Sequence, residues 1–144
     1  MVFRAQNPTA PFFHSIARAV EVQLPDGGSE PPQALMGQTV AAFCGIGRPG
    51  LFFQDLERAG AKVAAFLPFP DHHWFTETDL RRVADRAAEV GATAIITTEK
   101  DYARLSEAQR ESLPLCRLSI RAEIWEERRF LKFLLGQLSR EVAA

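Results

Sequence analysis

An open α/β sheet, mostly parallel and Rossmann-like with helices on both faces, is the fold that this 144-residue sequence predicts. Three features carry the prediction. Short apolar runs alternate with stretches of helical periodicity. The runs are apolar throughout, as strands covered on both faces must be. The connections between them are short, which favours right-handed crossovers. With 47% hydrophobic and 24% charged residues, the chain has enough apolar material for one globular core.

Residues 1–38 read as an irregular ribbon or linker segment. Within it Ile16, Val20, Val22 and Leu24 share one face of a strand, and "PDGGSEPP" is a turn that neither helix nor central strand can hold. Residues 39–144 read as the α/β domain. "TVAAFC" (39–44) is its first buried strand. Pro49 opens a helix that buries Phe52, Phe53, Leu56 and Ala59, and Gly60 closes it. "KVAAFLPF" (62–69) is a strand stopped by Pro68 and Pro70. Thr76 and Asp79 have the spacing of a capping box, and Leu80, Val83, Ala84 and Ala87 form the inner stripe of the helix that follows. "ATAIITT" (92–98) is rich in β-branched residues, as strands are. Thr98 and Asp101 then cap a short helix running to about Leu105. "LCRLSI" (115–120) is a further strand. The last helix is expected from near Glu123, burying Ile124, Leu131, Leu134, Leu135 and Leu138, with Trp125, Phe130 and Phe133 off that stripe as a second contact surface.

Composition excludes some functions. A formal net charge of −1 leaves no global electrostatic attraction for nucleic acid. Cys44 and Cys116 lie in apolar runs without CxxC spacing, which predicts buried thiols in a reducing cytoplasm. No apolar run approaches the roughly 18 residues of a membrane span.

Three polar clusters follow three successive strands: "GIGRPG" the first, "FPDHH" the second and "TTEKD" the third. In an open parallel sheet the carboxyl ends of the strands share an edge, and ligands bind there. Each cluster has more than one reading. Gly45 and Gly47 fit either a tight turn or the GxGxxG of a dinucleotide site, although "FLPFP" stands where the acidic ribose ligand belongs. Thr98, Glu99, Lys100 and Asp101 fit a capped helix start or a phosphate contact. Asp71 and His72 suit general-base work, since histidine titrates near neutrality. Adjacent histidines point in different directions, so only one of His72 and His73 should share a site with Asp71. The capping box needs neither, and both are expected to be dispensable for folding. A metal phosphoesterase of the DHH type would need further aspartates at earlier strand ends, where only Asp26 and Asp55 precede.

"VAAFCGIGRPGLFF", "FPDHHWFTETDL" and "TTEKD", in that order, resemble the second half of the tetraacyldisaccharide 4'-kinase (lipid A 4'-kinase) family, and "VFRA" resembles its inter-domain passage. The resemblance implies transfer of the ATP γ-phosphate, with Mg²⁺, to the 4'-hydroxyl of a lipid-bearing disaccharide. It also implies a P-loop domain as partner and a place at the cytoplasmic face of the inner membrane, with membrane contact through the substrate. His72 matches the histidine that supports a catalytic aspartate, and Asp71 the acidic residue before it. There is a departure. The lysines Lys62, Lys100 and Lys132 have no G-x-x-x-x-G-K-[ST] frame. Because that loop supplies most of the positioning in phosphoryl transfer, the expectation is a carboxyl-terminal half that is inactive alone. A non-catalytic binding or scaffold domain is the alternative.

Overall fold

The computed structural model describes residues 9–142, so "VFRA" lies outside the described residues. The strands are β1 (Ser15–Gln23), β2 (Ser29–Glu30), β3 (Thr39–Cys44), β4 (Lys62–Pro68), β5 (Ala94–Thr98) and β6 (Leu115–Ile124). The helices are α1 (Pro49–Arg58), α2 (Glu77–Glu89), α3 (Glu99–Arg104), α4 (Glu107–Ser112) and α5 (Glu127–Val142). One sheet runs in the order β2-β1-β6-β5-β3-β4. β3 pairs in parallel with β4 and β5, and β5 with β6, while β1 and β2 are antiparallel.

Two compact units result: Ala19–Arg121, and the two chain ends Met1–Arg18 with Ala122–Ala144. In the first, strand alternation sends neighbouring residues to opposite faces. Val40, Ala42 and Cys44 meet Phe52 and Leu56 of α1, together with Ile96 and Leu118. Ala41 and Phe43 meet Leu80, Val83 and Ala87 of α2, with Ile95 and Leu115. Each Val, Leu, Ile or Phe among them contributes about 1.5–3 kcal/mol by leaving water, more than the ~1 kcal/mol of a helix cap. The two apolar layers hold the sheet, and the caps only set where helices begin.

Three expectations need correction. Ile16 and Val20 are 38% and 37% exposed, so the buried end of β1 is Val22 alone, with Leu24 packed against the same cluster. β6 continues through Glu123, and α5 starts at Glu127 after Glu126 adopts a left-handed φ of 61°. The strand persists because "RLSIRAEI" alternates with a period of two, which a helix cannot use. Leu131, Leu134, Leu135 and Leu138 are 45%, 41%, 61% and 51% exposed rather than buried. Within the unit of the chain ends, the packed side of α5 is the aromatic one. Phe130 and Phe133 lie 5.2 and 5.9 Å from Phe13. α4 escapes the periodicity reading because it buries no residue, although Ser106 and Gln109 form a capping box.

Burial pushes the Cys44 thiol up to about 12, the Asp101 carboxylate adds to this, and the Ile46 amide partly offsets it. Cys116 is also raised, by burial first and then by Asp26. Because the thiolate is the reactive form, neither cysteine should react with iodoacetamide in the folded chain at about pH 8. Both should react in denaturant, as read by mass spectrometry. Labelling of the folded chain would contradict the burial.

Candidate functional site

The carboxyl ends of β5, β3 and β4 stand side by side in the sheet, and the three polar loops meet there. Their junction is Asp101, whose side chain is fully buried. Oδ2 accepts from the Gly45 amide at 2.9 Å and from the Thr98 hydroxyl at 2.7 Å. Oδ1 accepts from Arg104 Nη1 at 3.3 Å. The Asp101 amide in turn donates to Thr98 Oγ1 at 3.0 Å, so Thr98 caps α3 as its spacing predicted.

The turn after β3 is clamped from the other side by the loop after β4. Gly45 O accepts from the His72 amide at 3.0 Å and from Arg104 Nη1 at 3.1 Å. A Cβ at Gly45 would lie 3.1 Å from His73 Cβ and 3.2 Å from Pro70 O. A Cβ at Gly47 would lie 3.1 Å from Asp71 Oδ2. The loop packed over the turn leaves little room for a side chain at Gly45, whose amide is already committed to Asp101, while at Gly47 the close atom is the end of the exposed Asp71 side chain. The Gly45 peptide is thus engaged on both its amide and its carbonyl by protein groups.

Asp71 and His72 face solvent. His72 has φ +60°, a left-handed conformation uncommon for a side chain with a Cβ. Strain of about 1–3 kcal/mol of this kind collects at functional sites. Its Nε2 lies 3.7 Å from Asp71 Oδ2, beyond direct hydrogen-bonding distance. Nδ1 lies 3.2 Å from Arg104 Nη2.

His73 turns inward. Its ring stacks on Phe69 at 4.8 Å, meets Phe75 edge-on at 5.1 Å, and Nε2 donates to Asp79 Oδ2 at 2.9 Å. The same carboxylate oxygen accepts from the Thr76 amide and hydroxyl, each at 2.8 Å. His73 is thus part of the α2 cap and its packing, contrary to the expectation that it is dispensable for folding. Partial burial of Asp79 acts upward, but the Thr76 amide, His73 and the Thr76 hydroxyl outweigh it and hold the carboxyl below its ordinary value.

The tetraacyldisaccharide-1-P 4'-kinase family model matches residues 4–139. The chain belongs to the tetraacyldisaccharide 4'-kinase family. It is 36% identical over 131 residues to the tetraacyldisaccharide 4'-kinase of Syntrophus aciditrophicus, covering 90% of this chain and 35% of that protein. It is 47% identical over 110 residues to the tetraacyldisaccharide 4'-kinase of Rhodospirillum centenum, covering 74% of this chain and 32% of that protein. The chain thus spans about a third of the length of these curated relatives. The crystal structure of "apo" form LpxK from Aquifex aeolicus in complex with ATP superposes with a TM-score of 0.54 at 23% identity. That match covers 93% of this chain and 40% of that one, and it supports the fold.

In this member of the tetraacyldisaccharide 4'-kinase family, the candidate residues separate into two groups. Gly45, Gly47, Asp71, His72, Thr98 and Asp101 are brought together, with Asp101 as an internal anchor. Glu99 and Lys100 are exposed on the first turn of α3. Sequence reasoning missed Arg104, although its i,i+3 spacing from Asp101 on one helix face was a usable signal.

Asp101→Ala should destabilise the chain by about 3–5 kcal/mol in chemical denaturation, because it leaves the Arg104 charge and the Gly45 amide without their carboxylate. Lys100→Ala should stay within about 0.5 kcal/mol. Equal effects would remove Asp101 from the centre of the edge. A lowered carboxyl stabilises the fold above the ordinary carboxylate value, and that contribution is lost as pH falls through the lowered one. Acid unfolding of Asp79→Asn should therefore show a weaker pH dependence in that window than the parent chain. An unchanged acid limb would count against the cap as a source of stability.

Proposed function

We propose that this chain is the carboxyl-terminal part of a kinase that transfers the ATP γ-phosphate to the 4'-hydroxyl of a tetraacyl-disaccharide 1-phosphate. The observation that carries the reading is His72, exposed and left-handed at the carboxyl edge, in a member of the tetraacyldisaccharide 4'-kinase family.

ATP and Mg²⁺ do not fit the described residues of this chain alone. The Gly45 amide is engaged by Asp101, Pro49 has no amide proton to offer at the start of α1, and Arg104 is engaged on three sides. Among the described residues, no three His, Cys, Asp or Glu side chains gather as a metal site would require. No G-x-x-x-x-G-K-[ST] occurs in the 144 residues. Nucleotide and metal are therefore assigned to a P-loop domain outside this chain.

His72 contributes a hydrogen bond to the aspartate of that domain which takes the proton of the sugar hydroxyl. The bond holds the aspartate ionised, ready to take the proton, and fixes its direction, while Asp71 balances charge beside the ring. Among the described residues no helix is long and apolar enough to cross a membrane. On the kinase reading, the protein meets its lipid-bearing substrate at the cytoplasmic face of the inner membrane.

Purified alone, the chain should not phosphorylate the disaccharide and should bind ATP only weakly. Supplied with a P-loop domain of the family, it should turn over. In that assembly His72→Ala should lower kcat by about 10²–10⁴-fold, the scale of general-base assistance, with KM little changed. Turnover by the chain alone, or a silent His72→Ala, would overturn the reading.

A further inference from the structure

Arg104 touches all three loops of the edge. Its side chain is 16% exposed and donates to Asp101 Oδ1 at 3.3 Å and Gly45 O at 3.1 Å. The remaining contact, Nη2 to His72 Nδ1 at 3.2 Å, is of a different kind, because it ends on a group with two protonation patterns. A guanidinium has five donors, no acceptor, and stays charged in proteins. Nδ1 must therefore be the acceptor, and the single proton of the neutral ring must sit on Nε2.

We propose that Arg104 is the positioning residue for His72. It selects the Nε2–H tautomer and holds the ring so that an N–H donor, not a lone pair, points out of the edge. Three observations fit together in this way. The His72 amide is tied to Gly45 O, the same carbonyl that receives Arg104 Nη1. The left-handed backbone at His72 carries the ring toward the guanidinium. Arg104 is itself immobilised by a buried carboxylate, so it can set an orientation rather than follow one. The functional consequence, though not the contact, rests on the kinase reading above: an Nε2–H donor is what a carboxylate base across the site would accept.

The test has two independent arms. In the 144-residue chain, ring ¹⁵N shifts of His72, recorded with the imidazole neutral, should show Nε2 protonated and Nδ1 bare. Arg104→Met should shift both nitrogens toward an average of two tautomers, and Arg104→Lys, which restores a cationic donor, should move them back. The Gly45 amide proton serves as control. If it keeps its Asp101-bonded shift in Arg104→Met while His72 moves, Arg104 acts on the histidine and not merely on the loop. A protonated Nδ1 in the parent chain, or ring shifts indifferent to Arg104→Met, would overturn the proposal. The parent spectrum alone can do so, whether or not the methionine variant folds.

In the enzyme completed with a P-loop domain, Arg104→Met should lower kcat about tenfold, the effect of one lost hydrogen bond to a charged group. KM should hold, and Arg104→Lys should recover part of the loss. If the nitrogen shifts behave as expected but His72→Ala leaves turnover unchanged, the positioning stands and the catalytic role given to His72 falls. If turnover depends on His72 while its shifts ignore Arg104, the reverse holds.

Discussion

One buried carboxylate ties the carboxyl edge together. Removing a charge from water costs several kcal/mol unless good partners replace the solvent, and Asp101 has them in Gly45, Thr98 and Arg104. Those partners come from the turn after β3 and from the start and end of α3. None of these segments can shift without exposing an unpaired buried charge, so they behave as one piece. The loop after β4 joins the same piece through the His72 amide and Arg104. The edge is therefore prearranged before any ligand arrives, which suits chemistry that depends on positioning.

His72 and His73 show how far one peptide unit can separate two identical side chains. The left-handed turn at His72 sends its ring outward to Arg104 and solvent. At the next residue the ring turns in between Phe69 and Phe75 and completes the α2 cap. The inner histidine holds the loop in shape, and the outer one is left available for a reacting group.

Much of this was legible in the sequence, and the failures have physical causes. Strands β3, β4 and β5 and helices α1 and α2 could be read because each buries a continuous or periodic apolar set against a neighbour. The meeting of the three loops followed from parallel topology alone. What could not be read was which polar side chain faces inward. Asp101 looked like a ligand candidate because Asp is rarely buried unpaired, and its partners come from 56 residues away at Gly45 as well as from its own helix. His73 was misjudged for the same reason, since its aromatic neighbours become visible only when the loop is folded. The α5 stripe failed differently. Periodicity shows that a helix has an apolar side, but not whether the described chain supplies anything to cover it.

The two borders of the sheet have a consequence for how the protein can associate. At one border β2 is only two residues long. At the other, β4 begins with Lys62, ends at Pro68, and loses regular register with β3 between Val40 and Ala41. Shortness, a terminal lysine, a proline and a local irregularity are devices that discourage another chain from pairing along an open strand. Neither β2 nor β4 itself offers a long, regular template for adding a strand, although β2 covers β1 only at Val22 and Gln23. At β2 and β4, association is thereby directed to side-chain surfaces and loops, where shape and charge can distinguish the right partner from any exposed β-segment in the cell.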